Sequence, residues 1–296
     1  MGLNMPAIQM ILDEHQYRPI TGESLHIGRQ TVNADDATLL GLFTATGLPT
    51  DRLIQAFRQD RDRVTRAANG NILDNCFLNA FSDAHYHCMD VSDYEGADIL
   101  HDMNYDVPVD YHEKFDYIYD GSCIDNMFDP ATFIKNVARM LKVGGRAILV
   151  NHASAYPGAY IAPSAEWYYS YFAVNDFADC KVYVGRALPG GHRLFVEYDL
   201  YSFNPYFTRD PEYDYSAACA DIRTWLLCIV IAEKKADSTT EKIPIQSHYL
   251  TRDAPDWRKR SSVFEASARP LVTASRVPGV NDHLMHSDHY HYLGRI

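Results

Sequence analysis

Side chains able to do acid–base chemistry gather after two apolar runs of this 296-residue chain. Asp120, Ser122, Asp125 and Asn126 close or follow FDYIYD (115–120), and Asn151, His152 and Tyr156 close or follow RAILVN (146–151). His152 is the residue best suited to act as a general base, because an imidazole titrates near neutrality. Asp125 is the second catalytic candidate. Both have structural alternatives: a single histidine after a strand commonly serves as a hydrogen-bonded strut, and Asp125 with Asn126 could order the loop before Asp129.

A second collection lies near the C-terminus, where residues 281–291 hold four histidines and two aspartates. That composition is compatible with a divalent metal. The spacing of His286, His289 and His291 matches no zinc signature, so we read the segment as a solvent- or partner-facing tail and assign no metal.

Several chemistries are argued against by what is missing. The six cysteines (76, 88, 123, 180, 219 and 228) include no C-x-x-C pair, and isolated thiols suit the reducing cytoplasm. The net charge is −12, and the densest basic run, Arg258-Lys259-Arg260, is three residues long. No nucleic acid partner is therefore expected. The N-terminus lacks the basic start and long apolar core of a signal peptide. The most apolar stretch, 225–232, has the length of a strand rather than of a bilayer span, so no membrane association is expected. A hydrolase reading lacks G-x-S-x-G, and a NAD-dependent oxidoreductase reading lacks G-x-G-x-x-G after the first strand.

The elements that must position these residues can be read from periodicity. Residues 5–16 form an amphipathic helix, Ser24 to Ile27 a short buried strand ending at Gly28, 34–47 a helix closed by Gly47, and 50–66 a charged helix. Strands are expected at 85–90, 97–101 and 115–120. Residues 129–142 form a helix with Asp129 as N-cap and Pro130 in the first position, where its missing N–H is harmless. Its stripe is Phe133, Ile134, Val137, Met140 and Leu141, with Gly144-Gly145 as the stop. A strand at 146–151 and an aromatic helix at 164–177 follow, then strands at 180–184, 193–203 and 225–232. The Pro-Gly-Gly turn at 189–191 makes a hairpin of the first two. From 236 onward regular pattern is sparse.

The fold class is thus α/β: a Rossmann-like, mostly parallel sheet with helices on both faces and a C-terminal antiparallel hairpin. We expect an N-terminal helix (1–20), a main domain (21–235) with a helical insertion at about 31–81, and an irregular C-terminal arm (236–296) that contacts either its own site or a partner, whether a second copy or another protein.

Over roughly residues 20–232 the order of these signals resembles the class I S-adenosylmethionine (SAM)-dependent methyltransferase family. The resemblance rests most on residues 115–151, where a strand ending in Asp120, an amphipathic helix and Leu141-Lys142-Val143-Gly144-Gly145 precede the next strand. It implies SAM as cofactor. It also implies a ribose-binding acid at Asp90, an adenine-facing pair at Asp102 and Met103, and Asp120 as a third acid of the series. The first loop departs from the pattern, with Gly28-Arg29-Gln30 where the family carries a G-x-G run; Arg29 or Gln30 would then donate to the cofactor carboxylate. The resemblance implies methyl transfer to a small-molecule or glycan-like acceptor, with Tyr156, Tyr160, Trp167, Tyr168, Tyr169, Tyr171 and Phe172 near the acceptor pocket or in the core. The departing loop supports the alternative, a methyltransferase-like module that binds a partner protein or a nucleotide without methyl transfer.

Overall fold

Alternation along three central strands sets the layers. In β4 (Phe115–Gly121), Phe115 and Ile118 face one core, while Tyr117 and Tyr119 face the other. β5 (Leu141–His152) divides Ala147 and Leu149 from Ile148 and Val150 in the same way. β8 (Leu226–Glu233) puts Cys228, Val230 and Ala232 on the first side and Leu227, Ile229 and Ile231 on the second. Side chains that alternate and are buried on both faces require cover on both faces, which is the α/β/α sandwich.

The computed structural model describes residues 2–65, 70–154, 157–188, 197–205, 225–246, 262–272 and 289–296. The remaining elements are α1 (Met5–Tyr17), β1 (Glu23–Ile27), α2 (Asp36–Thr46), α3 (Asp51–Gln59), α4 (Asp74–Phe81), β2 (His85–Asp90), β3 (Ile99–Leu100), α5 (Pro130–Met140), α6 (Ala165–Val174), β6 (Asp179–Ala187), β7 (Tyr198–Phe203) and β9 (Tyr290–Arg295). One sheet runs β3-β2-β1-β4-β5-β8-β6-β7-β9. Its first five strands are parallel, and β8 enters antiparallel between β5 and β6. β6 and β7 form the expected antiparallel pair; their turn at 189–191 lies outside the described residues. Helices α1 to α4 contribute to one core, and α5 and α6 to the other. No helix among the described residues is long and apolar enough to cross a membrane.

Several sequence expectations need correcting. α3 stops at Gln59 rather than running to 66, and α4 was not foreseen. α4 has no capping side chain, since Leu73 occupies the N-cap, and its eight residues give little more than two turns of periodicity. β3 shrinks to two residues. Gly144-Gly145 does not end α5, which stops at Met140. The two glycines lie inside β5, where its register against β4 shifts between Phe115↔Leu141 and Tyr117↔Arg146. Gly144 has φ +79°, and a Cβ on Gly145 would stand 2.9 Å from the Lys142 carbonyl oxygen. This is the backbone of a bulge rather than of a helix cap. The C-terminal arm is less irregular than expected: β9 extends the sheet by pairing with β7.

Where β5 and β6 begin and β8 ends, ions clamp the layers together. Glu14 of α1 receives Arg146 of β5 at 3.0 Å and also pairs with Arg269 of the arm. Arg269 further contacts Asp179 at 2.7 Å and Glu233, and Arg18 reaches Glu233 at 3.0 Å.

Candidate functional site

In the parallel half of the sheet, β1 is flanked by β2 on one side and β4 on the other. Connections from β1 and β4 therefore leave in opposite directions, opening a crevice at their carboxyl ends. A cavity of about 550 Å³ occupies this place, within the range of about 300–1,000 Å³ usual for ligand sites. Its lining includes Gly28, Arg29, Gln30, Asp90, Tyr94 and Ser122.

Gly28 is fixed by its surroundings. Its φ is +73°, its N–H donates to the Met89 carbonyl at 2.7 Å, and a Cβ there would come within 3.0 Å of Cys123 Sγ. Only glycine meets both demands without strain. Asp90 ends the neighbouring strand, and its Oδ2 would lie 3.8 Å from that same Cβ. Asp90 Oδ1 accepts from the Val91 N–H at 2.6 Å.

Arg29 lines the cavity, and its guanidinium lies beside Tyr86 and Asp74. One nitrogen donates to Tyr86 Oη at 3.1 Å, and Nε lies 3.7 Å from Asp74 Oδ1. Asp74, at the start of α4, is fully buried and also accepts from Tyr86 Oη (2.7 Å) and the Gln30 N–H (3.1 Å). Burial acts to raise its pKa, but His26, Arg29 and Tyr86 hold the carboxyl below its ordinary value. Gln30 folds back so that its Nε2 donates to the Gly28 carbonyl at 2.9 Å. Its Oε1 is buried and meets no donor among the described residues.

Behind Ser122 lies the acid–base group. Ser122 Oγ donates to both oxygens of Asp125 at 2.8 Å, and His152 Nδ1 stands 2.7 Å from Asp125 Oδ2. The His152 ring stacks on Trp225 with centroids 5.6 Å apart and 8° between planes. Asp125 is therefore a hub joining a cavity-lining hydroxyl to a buried imidazole. Asp120, fully buried, accepts from the N–H groups of Cys123 (2.6 Å) and Ile124 (3.3 Å). Burial, aided by the nearby charge of Asp125, pushes the Asp120 carboxyl up to about 7 against those two donors.

Of the residues singled out in the sequence, Gly28, Arg29, Gln30 and Asp90 meet at the cavity, with Asp120, Asp125 and His152 adjoining through Cys123 and Ser122. Asp102 and Met103 do not line it. Asp102 Oδ1 accepts from the backbone and side-chain nitrogens of Asn104, both at 2.9 Å, and Met103 is buried in the core on the α5 side. Asn104 Oδ1 in turn accepts from the N–H groups of Phe128 and Asp129. Tyr156 lies outside the described residues. Sequence reasoning missed Asp74, Tyr86 and Trp225. Asp74 alone carried a signal, as an acid opening an apolar stretch.

No protein-family model matches the chain, and no curated protein matches it. Solved structures to which the chain is similar include the [4+2]-cyclase SpnF, 10% identical, with 77% of this chain and 80% of that one covered at a TM-score of 0.38. They also include residues 961–1257 of StiE, an O-methyltransferase domain, 11% identical with 88% and 80% covered at 0.36. A third is the methyltransferase domain of the citrinin polyketide synthase, 10% identical with 78% and 52% covered at 0.37. This chain spans about half the length of that domain and of two other matched chains, one assigned as a SAM-dependent methyltransferase from Methanococcus maripaludis (56%) and one as a zinc-dependent alcohol dehydrogenase from Rhodobacter sphaeroides (46%). Likenesses at this level leave the function to be argued from the geometry of the chain itself.

Proposed function

We propose that the chain is a SAM-dependent methyltransferase acting on a small-molecule or glycan-like acceptor. The observation that carries this reading is the cavity at the switch point, where the positive-φ Gly28 and the strand-ending Asp90 converge. Each is suited to one part of an adenosyl amino acid. Gly28 leaves room for close approach to the backbone, and the Asp90 carboxylate can accept from ribose hydroxyls. Arg29, beside Tyr86 and Asp74, supplies positive charge next to the loop, in keeping with the carboxylate-binding role expected for it.

Bound there, SAM would supply an electrophilic methyl on a sulfonium centre. The protein's own task is then alignment and, for a hydroxyl acceptor, removal of a proton. Asp125 fixes the His152 ring through Nδ1 and so favours the tautomer whose Nε2 carries the lone pair. Ser122 Oγ holds Asp125 from the cavity side. Trp225, flat against His152, keeps the imidazole in one plane.

The second reading, a methyltransferase-like module that binds a partner protein or a nucleotide without methyl transfer, is favoured by Arg29, whose side chain stands where a close-approach glycine belongs. Calorimetric titration with SAM, S-adenosylhomocysteine and NAD separates the two. Micromolar binding of the adenosyl ligands, and none of NAD, is the expected outcome and would justify an acceptor screen. Absence of binding by both adenosyl ligands would sink the methyltransferase reading and favour the module.

A further inference from the structure

Far from the cavity, where the parallel strands begin, β1 and β2 bring together Glu23, His85 and His87. His85 and His87 are two apart on β2 and so project from the same face, and Glu23 is in register with His85 on β1. Glu23 Oε2 lies 2.6 Å from His87 Nε2 and 3.2 Å from His85 Nδ1. The other His87 nitrogen, Nδ1, lies 3.0 Å from Asp98 Oδ2, just before β3.

The ring of His87 thus has a carboxylate at each nitrogen. A neutral imidazole has one N–H and can satisfy only one of them. If Nδ1 donates to Asp98, the Nε2 lone pair faces the oxygens of Glu23, and the contact requires a cation between or on them. A proton would make His87 an imidazolium. A divalent metal would serve Glu23, His85 and His87 together, with Asp98 as the outer carboxylate that orients the ligating histidine.

We propose that Glu23, His85 and His87 form a binding site for a borderline divalent transition metal, with zinc the favoured ion. The donor set is two imidazoles and one carboxylate, as in zinc sites that keep an open position. The three ligand atoms lie within 4.8 Å of one another. Zinc bonds of about 2.0–2.1 Å in a tetrahedron put ligand atoms about 3.3 Å apart. The 3.2 Å Glu23–His85 separation is close to that value, and the 2.6 Å contact to His87 must open by less than an ångström. His85 is largely exposed, which gives the ion an entry path and leaves the fourth position to water or an exogenous ligand. Asp116 accepts from the Glu23 N–H at 2.8 Å and fixes the backbone that carries the carboxylate.

The test is calorimetric titration of the untagged 296-residue chain with ZnCl₂. Three variants separate this site from the histidine-rich C-terminus: the double variant H85A/H87A, D98N, and one with His283, His286, His289 and His291 changed to Ala. One zinc per chain is expected in the wild type and in the C-terminal variant. In H85A/H87A that binding is lost, and D98N weakens it by about 10- to 100-fold, the usual effect of removing an outer carboxylate. Circular dichroism checks that each variant is folded. No zinc binding by the wild type, or binding lost only in the C-terminal variant, overturns the proposal and leaves Glu23 and His87 as an ion pair.

Discussion

Where β5 and β6 begin and β8 ends, three acids (Glu14, Asp179, Glu233) meet three arginines (Arg18, Arg146, Arg269), and each charge has a partner of opposite sign. At the carboxyl ends of β1, β2 and β4 the polar groups are answered differently. Asp120 is answered by the N–H groups of Cys123 and Ile124, Asp125 by a hydroxyl, an imidazole and the His152 N–H, and Gln30 Oε1 by no donor among the described residues. The first arrangement holds α1, the sheet and the arm in one geometry. The second keeps protons and lone pairs in play, as a site that must receive a ligand requires. A way to break this contrast is to find stability at the second end or ligand binding at the first.

The largest expected effect is Glu14→Ala. Glu14 is the carboxylate paired with Arg146, whose remaining contacts are carbonyl oxygens of residues 14, 18 and 19. Burial already draws the Arg146 guanidinium below its ordinary pKa despite that partner. Removing one member of a buried pair costs about 3–5 kcal/mol. Urea unfolding should show a loss of that size with SAM affinity unchanged in the folded protein. A loss below about 1 kcal/mol would mean that this network is not what clamps the layers.

Next comes Asp120, whose carboxyl moves from an ordinary 3.8 to about 7. Its folded pKa is raised, so the native state binds the proton more tightly than the unfolded chain. Its stabilising contribution is full below about pH 4 and is lost as pH rises through 7. Asp13, up at about 6, acts in the same direction and window, so the comparison must be with a variant. Asp120→Asn should flatten the decline of stability between pH 4 and 7 by a few kcal/mol, at about 1.4 kcal/mol per pKa unit. Superimposable pH profiles for wild type and variant would refute the assignment.

Much of the parallel half was legible because it is periodic. The α5 stripe with its Asp129 cap, and the strands 85–90 and 115–120, follow from local rules that packing did not override. What was illegible depends on pairing between distant segments. β9 is six residues, and its role exists only beside β7. Gly144-Gly145 reads locally as a helix stop, and only the register against β4 reveals a bulge. At the site, Gly28 and Asp90 could be located because they end strands. Nothing local told that Arg29 would turn down toward Asp74, because Asp74 comes from an unforeseen helix 45 residues later. Asp125 and His152 were found separately, and the 2.7 Å contact between them joins residues that sequence reading had no means to pair.

Asp90 and Asp102 sharpen the contrast, since the sequence treats them alike and the fold does not. Asp90→Ala removes a carboxylate at the cavity wall and should weaken SAM binding by about 1–3 kcal/mol, roughly 5- to 150-fold, with urea stability within about 0.5 kcal/mol of wild type. Unchanged affinity would displace the ribose from Asp90.

Asp102→Ala is the smallest effect and the most discriminating. The carboxylate organises Asn104, and Asn104 Oδ1 accepts the N–H groups of Phe128 and Asp129 at the entrance to α5. Loss of such local side-chain bonds costs about 0.5–2 kcal/mol, as for helix caps. The expected result is therefore a modest drop in stability with SAM affinity retained, the reverse of Asp90→Ala. Weaker SAM binding at unchanged stability would return Asp102 to the adenine. It would also mean that the ligand extends past β2 toward β3, so that the cavity between Gly28, Asp90 and Ser122 is only part of the site.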